Sequence, residues 1–499
     1  MHSHCRINFP VFISPESIVH TPTQIRKTKI VATIGPACDS VETLGAMIRA
    51  GMNVARLNLS HGTVAEHRDR VENIRQAAKA AGTNIAIMID TRGIEIRTAV
   101  LKQDSVKLDR GATFTLYMDQ LPGDVEGVSV SYNKLASEVS KGDAILLDDG
   151  AIELEAEVIS ADAIRCRVIH GGRLKANKSV NLPDTALSIS ATGPENREDI
   201  LRELGFAADN DVDYIAASFV QTAADIEGMR EILKASNVSI PIIAKIENKA
   251  GVANLDEIIQ AADGLMVARG DLGVELPFGD VPGTQKRMIQ ATVSMGKPVI
   301  TATQMLASME VNPKPTRAEA SDVANAILDG TSAIMLSGET AAGKYPVEAV
   351  ATMDDLALRA ESYLYEYGYL QKIKSSPSNI TMEAVSQAAT GMAKNLDAAA
   401  IFSLTESGFS SRRISKYRPK CPILAITGSK RVARQLSLNW GVIPLLYDQV
   451  VEDKAKLQNA IKLATEQGLV CEGNTVVVTA GHAERAGSTD MIRVIQLDK

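Results

Sequence analysis

Lys245 and Glu247 stand two residues apart in the apolar run PIIAKIE (241 to 247), and that spacing in an extended segment puts both side chains on one face. A lysine and a carboxylate sharing a strand form either a buried ion pair or half of a site that handles charged oxygens. Asp271, in ARGDLG, adds a second carboxylate at the end of the next apolar run. A hard divalent cation such as Mg2+ takes only a few carboxylates from a protein and completes its octahedron with substrate oxygens and water. Gly270 and Asp271 also open a strand-to-helix turn, where backbone N–H groups offer a seat for a phosphate or carboxylate. Other polar residues close apolar runs in the same way: Arg56, Asn58 and Ser60; Asp90 and Thr91; Arg269; Thr303; Ser337 and Glu339. Arg56 and Arg97 have the forked guanidinium that grips a phosphate or carboxylate, or that closes a salt bridge. Asn58, Ser60, Asp90 and Thr91 carry oxygens suited to a monovalent cation, and equally to loop capping. There is no Ser/His/Asp triad, and His61 and His67 alone do not make a hydrolase.

The elements that must carry these residues are short β-branched runs: KIVATIG (29 to 35), NVARLNLS (53 to 60), IAIMIDT (85 to 91), YIAASFV (214 to 220), PIIAKIE, GLMVAR (264 to 269), PVITAT (298 to 303) and AIMLSG (333 to 338). Most are continuously apolar, as strands buried on both faces are, and helix-like stretches separate them. Their number and spacing predict a closed (β/α)8 barrel rather than an open doubly wound sheet. In such a barrel the C-terminal strand ends converge, so the polar residues at those ends belong to one site. The interval from Thr91 to Tyr214 breaks the rhythm with alternating, turn-punctuated runs of an all-β module. We therefore expect a barrel over 23–97 and 188–372 and an inserted all-β lid over 98–187. After the linker KIKSSPSN, a C-terminal open-sheet α/β domain follows over 373–499, and residues 1–22 read as a loose tail in which His2 and His4 are too few ligands for a metal.

Composition narrows the function. At 499 residues the chain has room for two to four domains, and 45% hydrophobic with 23% charged residues excludes disorder. A formal net charge of -7 excludes a basic footprint for nucleic acid or anionic membrane, so an anion must be held locally. The five cysteines, Cys5, Cys38, Cys166, Cys421 and Cys471, are far apart and read as reduced thiols of a cytoplasmic protein. No apolar run reaches the roughly 18 residues of a bilayer span, and the first residues have no signal-peptide pattern.

The motifs KTKIVATIGPA, GMNVARLNLSHG, DTRGIEIRT, KSVNLP, PIIAKIENKAG, VARGDLGVE, ITATQMLASM, NPKPTRAEASDVANAILDGTSAIMLSGET and GKYPVEAV, in this order, resemble the pyruvate kinase family across residues 26 to 499. The resemblance implies transfer of a phosphoryl group from phosphoenolpyruvate to ADP, giving pyruvate and ATP, with Mg2+ (or Mn2+) and K+. It implies that Lys245 stabilises the transferring group, that Glu247 and Asp271 hold Mg2+, and that Arg56, Lys245, Gly270, Asp271 and Thr303 contact the substrate. It further matches Asn58, Ser60, Asp90 and Thr91 to a K+ cage, Asn58, His61, Arg97 and Lys178 to the nucleotide side, and Thr303, Ser337 and Glu339 to the region of the proton relay. Two departures stand in DTRGIEIRT, where Arg92 replaces lysine and Ile94 proline; the first keeps the charge and the second bears on the lid hinge. Ala250 replaces a residue that is commonly polar. Glu95 goes with dependence on K+ in this family. A phosphorylated effector is expected at SLTESGFSSR (403 to 412), where Thr405, Ser407, Gly408, Ser410 and Ser411 present hydroxyls and N–H groups at a helix start with Arg412 and Arg413 nearby, a pattern that N-capping also produces. Fructose 1,6-bisphosphate, a sugar monophosphate and a nucleotide are the candidates, and Glu406 favours the monophosphate. The resemblance also implies a homotetramer. A Mg2+-dependent aldolase or lyase of 2-oxoacids is the rival enzyme class, and a metabolite-binding barrel the rival without catalysis.

Overall fold

The computed structural model describes residues 25–185, 187–368, 380–447, 453–481 and 489–498; the tail over 1–22, with His2, His4 and Cys5, and the linker KIKSSPSN lie outside the described residues. Strands β1 (Lys29–Thr33), β2 (Val54–Asn58) and β3 (Ala86–Asp90) come first. The insertion holds β4 (Ser105–Leu108), β5 (Thr113–Tyr117), β6 (Gly127–Ser129), β7 (Ala144–Leu147), β8 (Ile152–Ile159), β9 (Ala163–His170), β10 (Gly172–Lys175) and β11 (Val180–Asn181). Then follow β12 (Tyr214–Ala217), β13 (Ile242–Ile246), β14 (Gly264–Ala268), β15 (Val299–Ala302) and β16 (Ala333–Leu336), and at the C-terminal end β17 (Ala400–Leu404), β18 (Ile423–Thr427), β19 (Val442–Leu446), β20 (Thr475–Gly481) and β21 (Thr489–Gln496).

The eight expected runs close into one parallel barrel in the order β1-β16-β15-β14-β13-β12-β3-β2. Their continuous apolarity has a two-sided cause. Alternate residues such as Ile30, Ala55, Ile87 and Ile242 pack under the outer helices. Val54, Met88, Tyr214, Ile243, Met266 and Ile300 instead fill the lumen. The period of two carries the inward face from Val54 to Arg56, from Met88 to Asp90 and from Ile243 to Lys245, so the apolar lumen ends in a charged layer.

The insertion packs its own core around Phe114, Leu116, Val128 and Leu154, in a six-stranded sheet β11-β7-β8-β9-β5-β6 and a two-stranded sheet β10-β4. The C-terminal sheet has the order β19-β18-β17-β20-β21, parallel except for the last strand. It plugs the N-terminal end of the barrel. Leu438 joins the lumen cluster, the Tyr214 hydroxyl donates to the Gln435 carbonyl (2.6 Å), and Lys29 Nζ donates to the Val442 carbonyl (2.8 Å). The other end of the barrel is thereby left as its accessible mouth.

One expectation needs correction. Cys38, Cys166 and Cys421 are free, as expected, but Cys471 is disulfide-bonded, and wide spacing along the chain does not by itself exclude a pairing. Among the described residues no helix is long and apolar enough to cross a membrane.

Candidate active site

Asp90 is the hub of the charged layer. Its carboxylate is buried at the end of β3, and both oxygens are taken: Oδ2 accepts from Arg56 Nε (2.7 Å) and Oδ1 from Lys245 Nζ (2.8 Å). Arg56 reaches onward to Thr33 Oγ1 (2.9 Å), and Lys245 to Ser218 Oγ (2.6 Å) and Glu247 Oε1 (3.0 Å). The Ser218 hydroxyl donates to the Thr91 carbonyl (2.6 Å) and lies 3.1 Å from Asp90 Oδ1. Burial alone would raise the Asp90 carboxyl pKa, but Arg56 and Lys245 outweigh it and hold the group below the usual carboxylate range. For Lys245, burial works against the charge, and Asp90 and Glu247 more than reverse it, so the ammonium stays protonated. Strands β1, β2, β3 and β13 and the residue just past β12 each contribute a member of this network, which is possible only because their C-terminal ends meet.

The carboxylates on the neighbouring strands are less compensated. Glu247 Oε2 accepts the N–H of Phe219 (2.6 Å), a residue bent to φ 56 just after β12. Asp271 lies in the first turn of the helix Arg269–Glu275, where surrounding protein and the Glu247 charge push its carboxyl up to about 7. Lys245 is shared with Asp90, so this pair carries an excess of negative charge, and its hard oxygens fit a divalent cation. Among the described residues no three acidic, histidine or cysteine side chains converge as a ready-made cage, so a cation held here would draw most ligands from water and substrate.

Thr303 lies against the turn that carries Asp271. Its Oγ1 accepts the N–H of Gly270 (2.8 Å) and donates to the Ala302 carbonyl (2.6 Å). Thr303 has φ 67 and Gln304 φ 55, left-handed values that cost on the order of 1–3 kcal/mol each and that gather at functional sites. Ser337 and Glu339 follow β16. Glu339 is buried, with Oε1 accepting the N–H of Leu306 (3.0 Å) and Oε2 that of Ser337 (2.7 Å), so its carboxylate braces the loops after β15 and β16 against one another.

Asn58 pairs with Asp90 across β2 and β3, and its Oδ1 accepts the N–H of Ser60 (3.1 Å). With Thr91 just past β3, these residues bring side-chain oxygens to the rim, and Arg92 supports the loop through a bond from Nε to the Leu59 carbonyl (3.0 Å). His61 is exposed beside them. At the base of the insertion Arg97 pairs with Glu95 (2.6 Å), open to solvent, and Lys178 pairs with Asp148 (2.7 Å), half-buried.

In the C-terminal sheet, Gly408 begins the helix Phe409–Lys416 at φ 77 and donates its N–H to Thr405 Oγ1 (2.9 Å). Ser411 bonds Ser403 (3.0 Å) and Ser410 bonds Thr489, which uses those two hydroxyls inside the fold; Ser407 alone of the four serines and threonines of this set is exposed. Glu406 accepts from the Tyr447 hydroxyl at 3.2 Å.

Sequence reasoning passed over Ser218 and Thr33, which complete the charged layer. The signal was present: SFV ends the fourth apolar run with a hydroxyl where core packing requires none.

Models of two families match the chain, pyruvate kinase barrel domain over residues 25–350 and pyruvate kinase alpha/beta domain over residues 383–495. The chain is 50% identical over 474 residues to a pyruvate kinase of Geobacillus stearothermophilus, covering 94% of this chain and 80% of that protein. Pyruvate kinases of Bacillus licheniformis and Sporosarcina psychrophila are each 47% identical over the same shares of the two chains. With a closed barrel whose mouth holds a charged lysine between two carboxylates, and with identity of this extent, the chain belongs to the pyruvate kinase family of phosphotransferases.

Proposed function

We propose that this enzyme transfers the phosphoryl group of phosphoenolpyruvate to ADP, giving pyruvate and ATP. The observation that carries the reading is the Lys245 ammonium, kept charged at the barrel mouth by Asp90 and Glu247. Phosphoryl transfer asks little covalent chemistry of a protein and much positioning and charge neutralisation. Lys245 holds a positive charge against the equatorial oxygens of the transferring group. Arg56 and the turn at Gly270 and Asp271 orient the substrate, and Asn58, His61, Arg97 and Lys178 face the nucleotide. Glu247 and Asp271 hold Mg2+ (or Mn2+), which when bound neutralises phosphoryl and carboxylate oxygens. Asn58, Ser60, Asp90 and Thr91 offer only oxygen ligands, a set that suits K+. After transfer the enolate regains a carbonyl at C2 as C3 takes up a proton. Thr303 delivers it from its hydroxyl and is reprotonated from solvent, while Ser337 and Glu339 shape that side of the cleft.

On this reading residues 23–97 and 188–372 are the catalytic barrel, 98–187 a lid that excludes water, and 373–499 a regulatory domain of a cytoplasmic homotetramer. Thr405, Ser407, Gly408, Ser410 and Ser411 mark the place of a phosphorylated effector.

In a coupled assay with phosphoenolpyruvate, ADP, Mg2+ and K+, Lys245→Met should lose at least about a hundredfold in kcat, on the order of 3 kcal/mol, with substrate binding retained. Turnover at the wild-type rate would remove Lys245 from the mechanism. The enzyme should be inactive in rigorously K+-free buffer, and Glu95→Lys should restore activity there; an unaltered wild type without K+ would reduce the four-residue rim to loop capping. Sugar phosphates should shift the phosphoenolpyruvate saturation curve to lower concentration in the wild type and not in Ser407→Glu. Equal responses of both proteins would make the loop structural.

A further inference from the structure

The turn after β15 is held in a conformation that its own residues disfavour. A β-branched residue at φ 67, followed by a second non-glycine residue at φ 55, persists only where neighbours over-determine the backbone. The contacts converge on one side chain. Arg269 Nε donates to the Ala302 carbonyl (3.2 Å), and one terminal nitrogen donates to the Thr303 carbonyl (2.7 Å) and lies 2.8 Å from Met305 Sδ. The other terminal nitrogen pairs with Asp322 Oδ1 (2.7 Å) on the helix Arg317–Leu328. The Arg269 side chain is only 12% exposed. Its chain neighbour Gly270 donates the bond that fixes Thr303 Oγ1. Two adjacent residues at the start of the helix after β14 thus grip the main chain and the side chain of the same threonine.

We propose that Arg269 is a positioning residue for proton transfer: it holds Thr303 in the left-handed turn that aims the hydroxyl at C3 of the enolate. The inference rests on the role given to Thr303 above. Arg269 acts at one remove, since its donors are spent on the carbonyls of residues 302 and 303, on Met305 and on Asp322. A planar guanidinium reaches two successive carbonyls and a carboxylate together; the ammonium of lysine carries the same charge but cannot span the three. The turn would then relax toward ordinary φ values and carry the hydroxyl away from the cleft.

The test uses Arg269→Lys, Thr303→Ala and the double variant in the full-length enzyme. Exchange of the methyl protons of pyruvate with D2O, followed by NMR with Mg2+, K+ and ATP present, isolates the proton step; the KM for phosphoenolpyruvate and the Mg2+ activation constant report binding. Arg269→Lys should slow exchange about tenfold or more while KM and the Mg2+ constant stay within about twofold. Thr303→Ala should slow it about a hundredfold, and the double variant should be no slower than Thr303→Ala. Wild-type exchange in Arg269→Lys beside slowed exchange in Thr303→Ala would overturn this inference and leave the role of Thr303 standing. Wild-type exchange in Thr303→Ala would overturn the role of Thr303 and this inference with it. A rise in KM or in the Mg2+ constant that matches the loss of exchange would make Arg269 a support of the binding cleft and overturn its positioning role.

Discussion

Everything at the barrel mouth depends on one buried carboxylate. Asp90 is almost wholly removed from water, and an isolated charge there would cost several kcal/mol. It stays ionised because Arg56 and Lys245 hold opposite sides of it, 2.7 and 2.8 Å away, and the dependence is mutual. Lys245 is buried as well, and Asp90 and Glu247 outweigh the burial that works against its charge. Such networks are weak sources of stability, since desolvation offsets much of the attraction, whereas breaking one by removal of a single partner costs about 3–5 kcal/mol. The network is therefore better understood as the means by which a fully charged lysine is kept at a fixed place in a low-dielectric mouth, where its charge acts most strongly on a phosphoryl group.

The rest of the architecture serves that placement. Arg56, Asp90 and Lys245 can meet only at the C-terminal rim of a closed barrel, since each continues the inward face of its strand above an apolar lumen. The C-terminal sheet seals the opposite end with Leu438 and the Gln435 and Val442 carbonyls, which leaves the rim as the accessible end. The insertion, leaving after β3 and returning before β12, stands beside that rim with Arg97 and Lys178 at its base.

Much of this was legible in the chain. Buried parallel strands must be apolar on both faces, so a polar residue at the end of such a run stands out, and Arg56, Asp90, Lys245 and Asp271 were found that way. Ser218 escaped because its hydroxyl sits inside a run read as a strand, and its meaning comes from a 2.6 Å approach of Lys245 that depends on strand register. Glu339 reads as a chemical group in sequence, yet both of its oxygens accept main-chain N–H groups, a fact set by loops that meet only in three dimensions. The internal bonds of Ser410 and Ser411 are of the same kind.

The central claim is that Asp90 serves the reaction through Lys245, and a double-mutant cycle on kcat with Asp90→Asn and Lys245→Met, at saturating Mg2+ and K+, tests it most directly. Asparagine keeps an oxygen for a bound cation and removes only the charge that holds the lysine. The account predicts strong coupling, with the double variant within about threefold of Lys245→Met alone. Losses that multiply across the cycle would contradict it, because Asp90 and Lys245 would then act independently.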